Sequence, residues 1–209
     1  MIHNQSPFET QQSIKQEDTL AFPVDIETFL QAIPEDACTK GHFVNQNRET
    51  IQQQNPSALA QYLKLHPEKF ASFRDISLRV SIRNFFDAAL FAFPDDPPAE
   101  AMRKIGRLIY PQILSTMLGR VIFAALRSDL MSIFRNGPRA FELFEKNGTR
   151  LKATELGPKH FRYDFDPSYS PIETSQVGII EGAAIYCGVK TEITVQRKDL
   201  VRGSLECRW

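Results

Sequence analysis

The sequence predicts an α+β fold in which a helical N-terminal two-thirds packs on a four-stranded antiparallel sheet. Apolar residues recur with a helical period between residues 77 and 126. The pattern changes to strict alternation after Asn147-Gly148, and two alternating pairs near the C-terminus flank one further helix. Helices followed by hairpins make a layered α+β domain, not a parallel sheet with crossovers.

Residues 1–24 contain few apolar side chains and read as a flexible acidic tail before a single domain over 25–209. Asp25 is placed to cap a short helix over 25–32, which Pro34 stops. From Lys40 to Gln54 the signal is weak, with Gly41 punctuating a Gln/Asn-rich stretch. A helix over 57–65 is entered after Pro56 and closed before Pro67. Ile82, Phe86, Leu90 and Phe93 then share one face of a helix over 77–92, ended by the prolines of 94–98. The next helix runs over 98–109 to Pro111, which lacks an amide hydrogen and predicts a kink or a restart. From Ile113 to Leu126 an apolar stripe marks a central core helix, and one or two helices over 129–136 and 138–146 follow.

The strands come next. Leu151 and Ala153 alternate with polar neighbours, as do Phe161, Tyr163 and Phe165, which makes a hairpin. A helix over 171–187 has Ser170 as N-cap, Pro171 in its first turn, Glu173 closing a capping box, and Gly188 past its end. Thr191, Ile193 and Val195, then Leu205, Cys207 and Trp209, alternate in a second hairpin.

Composition narrows the function. With 42% apolar residues the 209-residue chain folds, and no apolar run is long enough for a membrane span. Zero net charge disfavours generic nucleic-acid binding, which needs a surplus of Lys and Arg against phosphate. Three cysteines and a polar N-terminus without an export signal point to the cytoplasm. Phosphate-loop, dinucleotide and nucleophile-elbow motifs are absent, and the four histidines are scattered. The expectation is therefore a protein that is not an enzyme, with no cofactor and no metal.

Several motifs in order resemble one family. They are Glu100-Ala-Met-Arg-Lys-Ile-Gly-Arg107 with Tyr110-Pro111, Leu118-Gly-Arg-Val-Ile-Phe123, Gly137-Pro-Arg-Ala140, Leu156-Gly-Pro158, Gln176-Val-Gly-Ile-Ile-Glu-Gly182 with Cys187-Gly188, and Glu206-Cys-Arg-Trp209. The family is an uncharacterised paralogous set of unknown function, expanded in myxobacteria and related bacteria, and the resemblance covers residue 33 to the end. More distantly, the last 40 or so residues are similar to the vinyl-reductase-like and haem–nitric-oxide-binding superfamily. That resemblance implies helices beside an antiparallel sheet, with a groove for an apolar ligand, a haem or a partner. It implies sensing or adaptor work. The Tyr-x-Ser-x-Arg motif of the haem-binding branch is missing, so haem is not expected. Cys187 and Cys207 alone fall short of the four ligands of a structural zinc site.

Candidate binding residues follow from charge. Residues 1–40 carry a net charge of −5, and residues 101–150 carry +6. Arginines on consecutive helices are either a solvated face or an anion-recognition surface, with Arg103, Arg107, Arg120 and Arg127 as its readers. The acidic tail lying over them would be autoinhibitory. Cys187 and Cys207 read as core thiols and Cys38 as an exposed loop thiol. Gly178 and Gly182 allow another backbone to approach, either the sheet or the helix containing Gly119; a homodimer seam or a ligand groove is the second reading. Two functions remain: a regulatory, adaptor or sensory module that binds a protein partner or small apolar ligand between helices and sheet, or a sensor of an anionic, nucleotide-like molecule.

Overall fold

The computed structural model describes residues 14–16, 26–115 and 129–209. Its larger sheet has the order β1 (Ile14–Gln16), β7 (Glu192–Arg197), β8 (Gly203–Arg208), β6 (His160–Phe165), β5 (Leu151–Gly157). The four C-terminal strands, β5, β6, β7 and β8, are antiparallel throughout. Both predicted hairpins are present, joined through the β6–β8 pair, where Phe161 faces Cys207 and Tyr163 faces Leu205. β1 (Ile14–Gln16) lies parallel to β7, with Ile14 opposite Ile193. That part of the expected flexible tail is thus a sheet edge.

The helices form the second layer. They are α1 (Ile26–Gln31), α2 (Gly41–Gln54), α3 (Leu59–Leu65), α4 (Leu78–Ala92), α5 (Pro98–Ser115), α6 (Leu130–Phe144) and α7 (Val177–Tyr186). A small sheet of β2 (Cys38–Lys40), β3 (Asp75–Ser77) and β4 (Glu145–Lys146) ties the start of α2 to the starts and ends of its neighbours. One core cluster joins α6 and α7 to the inner face of the large sheet through Phe134, Phe161, Tyr163, Ile180 and Leu205. A second lies among α2, α3, α4 and α5, around Ile51, Tyr62, Met102 and Ile105.

Several elements differ from the sequence expectation. The weak stretch after Lys40 is a 14-residue helix whose buried side includes Gln46, Asn47 and Thr50, so polar residues occupy positions where periodicity seeks apolar ones. Cys38 lies in β2 instead of a loop. The capping box at 170–173 does not form. Ser170 Oγ is 2.5 Å from Ser175 Oγ, Glu173 pairs with Arg197, and the chain makes a wide π turn over Ile172–Gln176 before α7 begins. Of the stripe from Ile113 to Leu126, residues 116–126 lie outside the described residues, as does Asp25.

Two helices run through prolines: Pro111, where a kink or a restart was expected, and Pro138, within what was read as one or two helices. In α6, Pro138 has no amide hydrogen for the carbonyl of Phe134. The hydroxyl of Tyr163 on β6 donates to that carbonyl at 2.7 Å instead. Gly137 makes this geometry fit, since a Cβ there would collide with the Tyr163 hydroxyl. In α5, Pro111 likewise leaves the Arg107 carbonyl without its helical donor. Gly182 of α7 packs so closely that its missing Cβ would strike this same carbonyl. Close backbone approach of this kind permits a weak Cα–H contact to the freed oxygen.

Candidate functional site

A cavity lies beside the proline device of α6, with Phe134, Gly137 and Tyr163 in its wall. It holds about 190 Å³ and lies between α2, α4 and α5 on one side and α6, α7 and β6 on the other. Its wall is mostly apolar, with Ile82, Ile105, Phe134, Phe141, Phe165 and Ile180 among the lining residues. Such a wall follows from the fold: the apolar faces of five helices and a sheet converge there without filling the space.

The polar groups of the wall are largely tied to one another. Asn47 Nδ2 donates to Asn84 Oδ1 at 2.9 Å, and the Tyr62 hydroxyl donates to the same oxygen. Gln112 Nε2 donates to Thr50 Oγ1 at 2.8 Å, and Thr50 Oγ1 donates to the Gln46 carbonyl at 3.1 Å. Paired in this way, buried amides and hydroxyls avoid the cost of lost hydration. Gln176 is different. It lines the cavity, is 3% exposed, and its amide nitrogen has no acceptor among the described residues. Burial raises the pKa of the Tyr110 and Tyr163 hydroxyls, so both stay protonated at neutral pH.

Of the predicted arginines, Arg103 and Arg107 are placed outside the cavity wall. Arg103 and Arg107 do share a face of α5, and both point at Glu181 of α7. Arg103 Nε lies 2.9 Å and Arg107 Nε 2.6 Å from Glu181 Oε2, on a carboxylate whose side chain is 1% exposed. Glu100 adds a contact to Arg107 at 3.4 Å. Their role in the structure is to neutralise a buried acid across the α5–α7 seam. Arg120 and Arg127 lie outside the described residues. The seam also accounts for Gly178 and Gly182, which pack on α5; Gly106 on α5 returns the contact, facing the Ser175 carbonyl. The expected approach to the sheet is therefore an approach to α5, and Gly119 lies outside the described residues.

The three cysteines are free thiols set apart from one another. Burial pushes the Cys207 thiol up to about 12 and raises that of Cys187 as well, aided by Asp129. Cys38 is half-buried, its Sγ 3.6 Å from the Asp36 carbonyl oxygen. Among the described residues no group of three His, Cys, Asp or Glu could hold a metal ion, and no helix is long and apolar enough to cross a membrane. Gln176 and Tyr163 were missed as site residues by sequence reasoning. The only sequence signal for Tyr163 was its inward alternation on β6, and Gln176 appeared only inside a motif run.

Helices packed on an antiparallel sheet with a cavity between make an α+β fold, which is similar to that of haem-NO-binding (H-NOX) domains. Solved structures similar to this chain include a haem protein studied for redox tuning by porphyrin distortion, at TM-score 0.63 and 15% identity over 81% of this chain and 99% of that one. Another is an H-NOX protein from S. oneidensis in its Fe(II)NO state, at TM-score 0.60 and 14% identity over 81% and 98%. A mutant of the T. tengcongensis H-NOX matches at 0.58 and 18% over 81% and 96%. At these identities the likeness is one of fold. The chain belongs to the DUF2378 family, whose description is a protein of unknown function and whose model matches residues 48–209. No curated protein matches the chain.

The residues present do not fit a haem. Among the described residues no histidine, cysteine or methionine lines the cavity to serve as an axial ligand. His66 instead lies 2.9 Å from Asp87, and His160 lies 3.3 Å from Glu206 on the sheet. The two tyrosines of the wall are held neutral, and Tyr163 is already engaged with the Phe134 carbonyl. No Lys or Arg among the described lining residues could meet a propionate.

Proposed function

We propose that the chain is a non-enzymatic cytoplasmic sensory module that takes a small apolar ligand into the cavity between its helices and its sheet. The observation that carries this reading is the cavity itself: about 190 Å³ of space walled mostly by Phe and Ile side chains. Close packing is the rule in protein interiors, and a void of this size forgoes the contacts that would fill it. The fold likeness supports the reading, because the similar structures include a haem protein and an H-NOX protein in an Fe(II)NO state. Three free thiols suit a reducing compartment. The wall offers hydrogen-bonded amides and neutral hydroxyls, which are suited to binding more than to proton transfer. Occupancy would be passed on through α6, whose Pro138 turn is held to the sheet by Tyr163 at the edge of the cavity.

Fluorine NMR of fluorobenzene added to the purified protein tests this. The ligand line broadens and shifts with the wild type, and the effect disappears when Ala140→Trp fills the space from α6 while circular dichroism stays unchanged. A fluorine line unaffected by the wild-type protein, or equally affected by the filled variant, contradicts the reading.

A further inference from the structure

Among the described lining residues of the cavity, Gln176 is the one with a fully buried side-chain atom that has no hydrogen-bond partner, and its identity restricts the ligand. Gln176 ends the π turn of Ile172–Gln176, where its backbone N–H donates to the Pro171 carbonyl at 3.2 Å in place of the usual helical bond. Wide turns of this kind break the helical spacing and recur at functional sites. Here the turn sets Gln176 in the cavity wall at 3% exposure, with an amide nitrogen that finds no acceptor among the described residues. A buried donor left in that state is destabilising, so an acceptor brought by a ligand gains more there than it would on a surface.

Size and charge restrict the ligand further. An apolar cavity of about 150 Å³ accepts benzene, so one of about 190 Å³ has room for a single ring with a short substituent. Phe134, Phe141 and Phe165 offer ring faces and edges that suit an aromatic guest. Among the described lining residues Glu145 is the only charged type, and its carboxylate accepts from the Thr149 backbone N–H at 2.6 Å, so an anion finds no counter-charge. We infer that Gln176 is the specificity contact of this cavity, and that its ligand class is a neutral one-ring compound carrying a single hydrogen-bond acceptor, such as an aryl ketone or aldehyde. The inference rests on the cavity reading above and adds the chemistry of its occupant.

Three probes of one shape separate the outcomes: ethylbenzene, acetophenone and benzoate, each titrated against fluorobenzene bound to the wild-type protein. Acetophenone differs from ethylbenzene by a carbonyl in place of a methylene, and it should displace the reporter about tenfold more strongly, as one net hydrogen bond implies. Benzoate should not compete. In Gln176→Met, of nearly the same shape, the preference for acetophenone should vanish while ethylbenzene binds at least as well. Equal binding of acetophenone and ethylbenzene by the wild type overturns the role of Gln176 and leaves the cavity reading standing. So does a preference that survives in Gln176→Met. Competition by benzoate as strong as that of acetophenone overturns the neutral ligand class. Failure of all three probes and of the reporter itself overturns both readings.

Discussion

Glu181 and Tyr163 show how single side chains settle problems created far away in sequence. A carboxylate that is 1% exposed persists in the interior because Arg103 and Arg107 both bond to it. Glu181→Gln leaves two half-buried guanidiniums with Glu100 alone, and about 2–3 kcal/mol of stability should be lost in urea unfolding. Arg135 and Glu155 form an exposed pair, and Glu155→Gln should cost under about 1 kcal/mol in the same assay. Equal losses would show that Glu181 is not held as described. For Tyr163→Phe, removal of the hydroxyl orphans the Phe134 carbonyl that Pro138 has already deprived of a donor. A cost of about 1–3 kcal/mol follows, and an unchanged urea midpoint would refute the device. The arginine pair itself was legible from its i, i+4 spacing. Its partner was not: Glu181 lies 74 residues from Arg107, and nothing local marks a buried acid.

At the scale of elements, α5 and α7 meet across glycines. Gly106, Gly178 and Gly182 each sit where an added Cβ would run into the opposing backbone, and backbone cannot rotate aside as a side-chain tip can. Gly182→Ala should therefore destabilise the fold by about 1–3 kcal/mol, while Gly157→Ala, with open space around its site, should be close to neutral. Thermal melts of the two variants compare them directly, and an equal tolerance would remove the close crossing. The sequence showed these glycines as a small-residue face but gave no sign of its partner. Helix α2 was obscured for a related reason, since its inward side carries Gln46, Asn47 and Thr50 instead of an apolar stripe. Pro111 misled in the opposite direction. Local chemistry predicts a kink or restart at Pro111, but the helix continues there with Gly182 of α7 packed against the freed carbonyl. In α6, Tyr163 donates to the carbonyl freed by Pro138. By contrast, both hairpins and α4 were plain, because alternation and helical period are local properties that burial reinforces.

For the whole molecule, the balance of charge proves to be partly internal. The arginine-rich middle of the chain is not simply a positive surface, since two of its cations neutralise a buried acid at the α5–α7 seam. What remains unaccounted for by packing is the cavity, where the two layers meet without closing. No sequence pattern announces a void, because the residues around it look like any core. Its position beside Tyr163 and Gln176 emerges only when α5, α6, α7 and β6 are brought together. A crystal of the full chain pressurised with xenon tests the central claim most directly. The account predicts an anomalous peak in contact with Ile105, Phe134 and Ile180, with the surrounding helices unmoved. A structure without xenon there, in which side chains from α5 and α6 meet and fill the space, would contradict it.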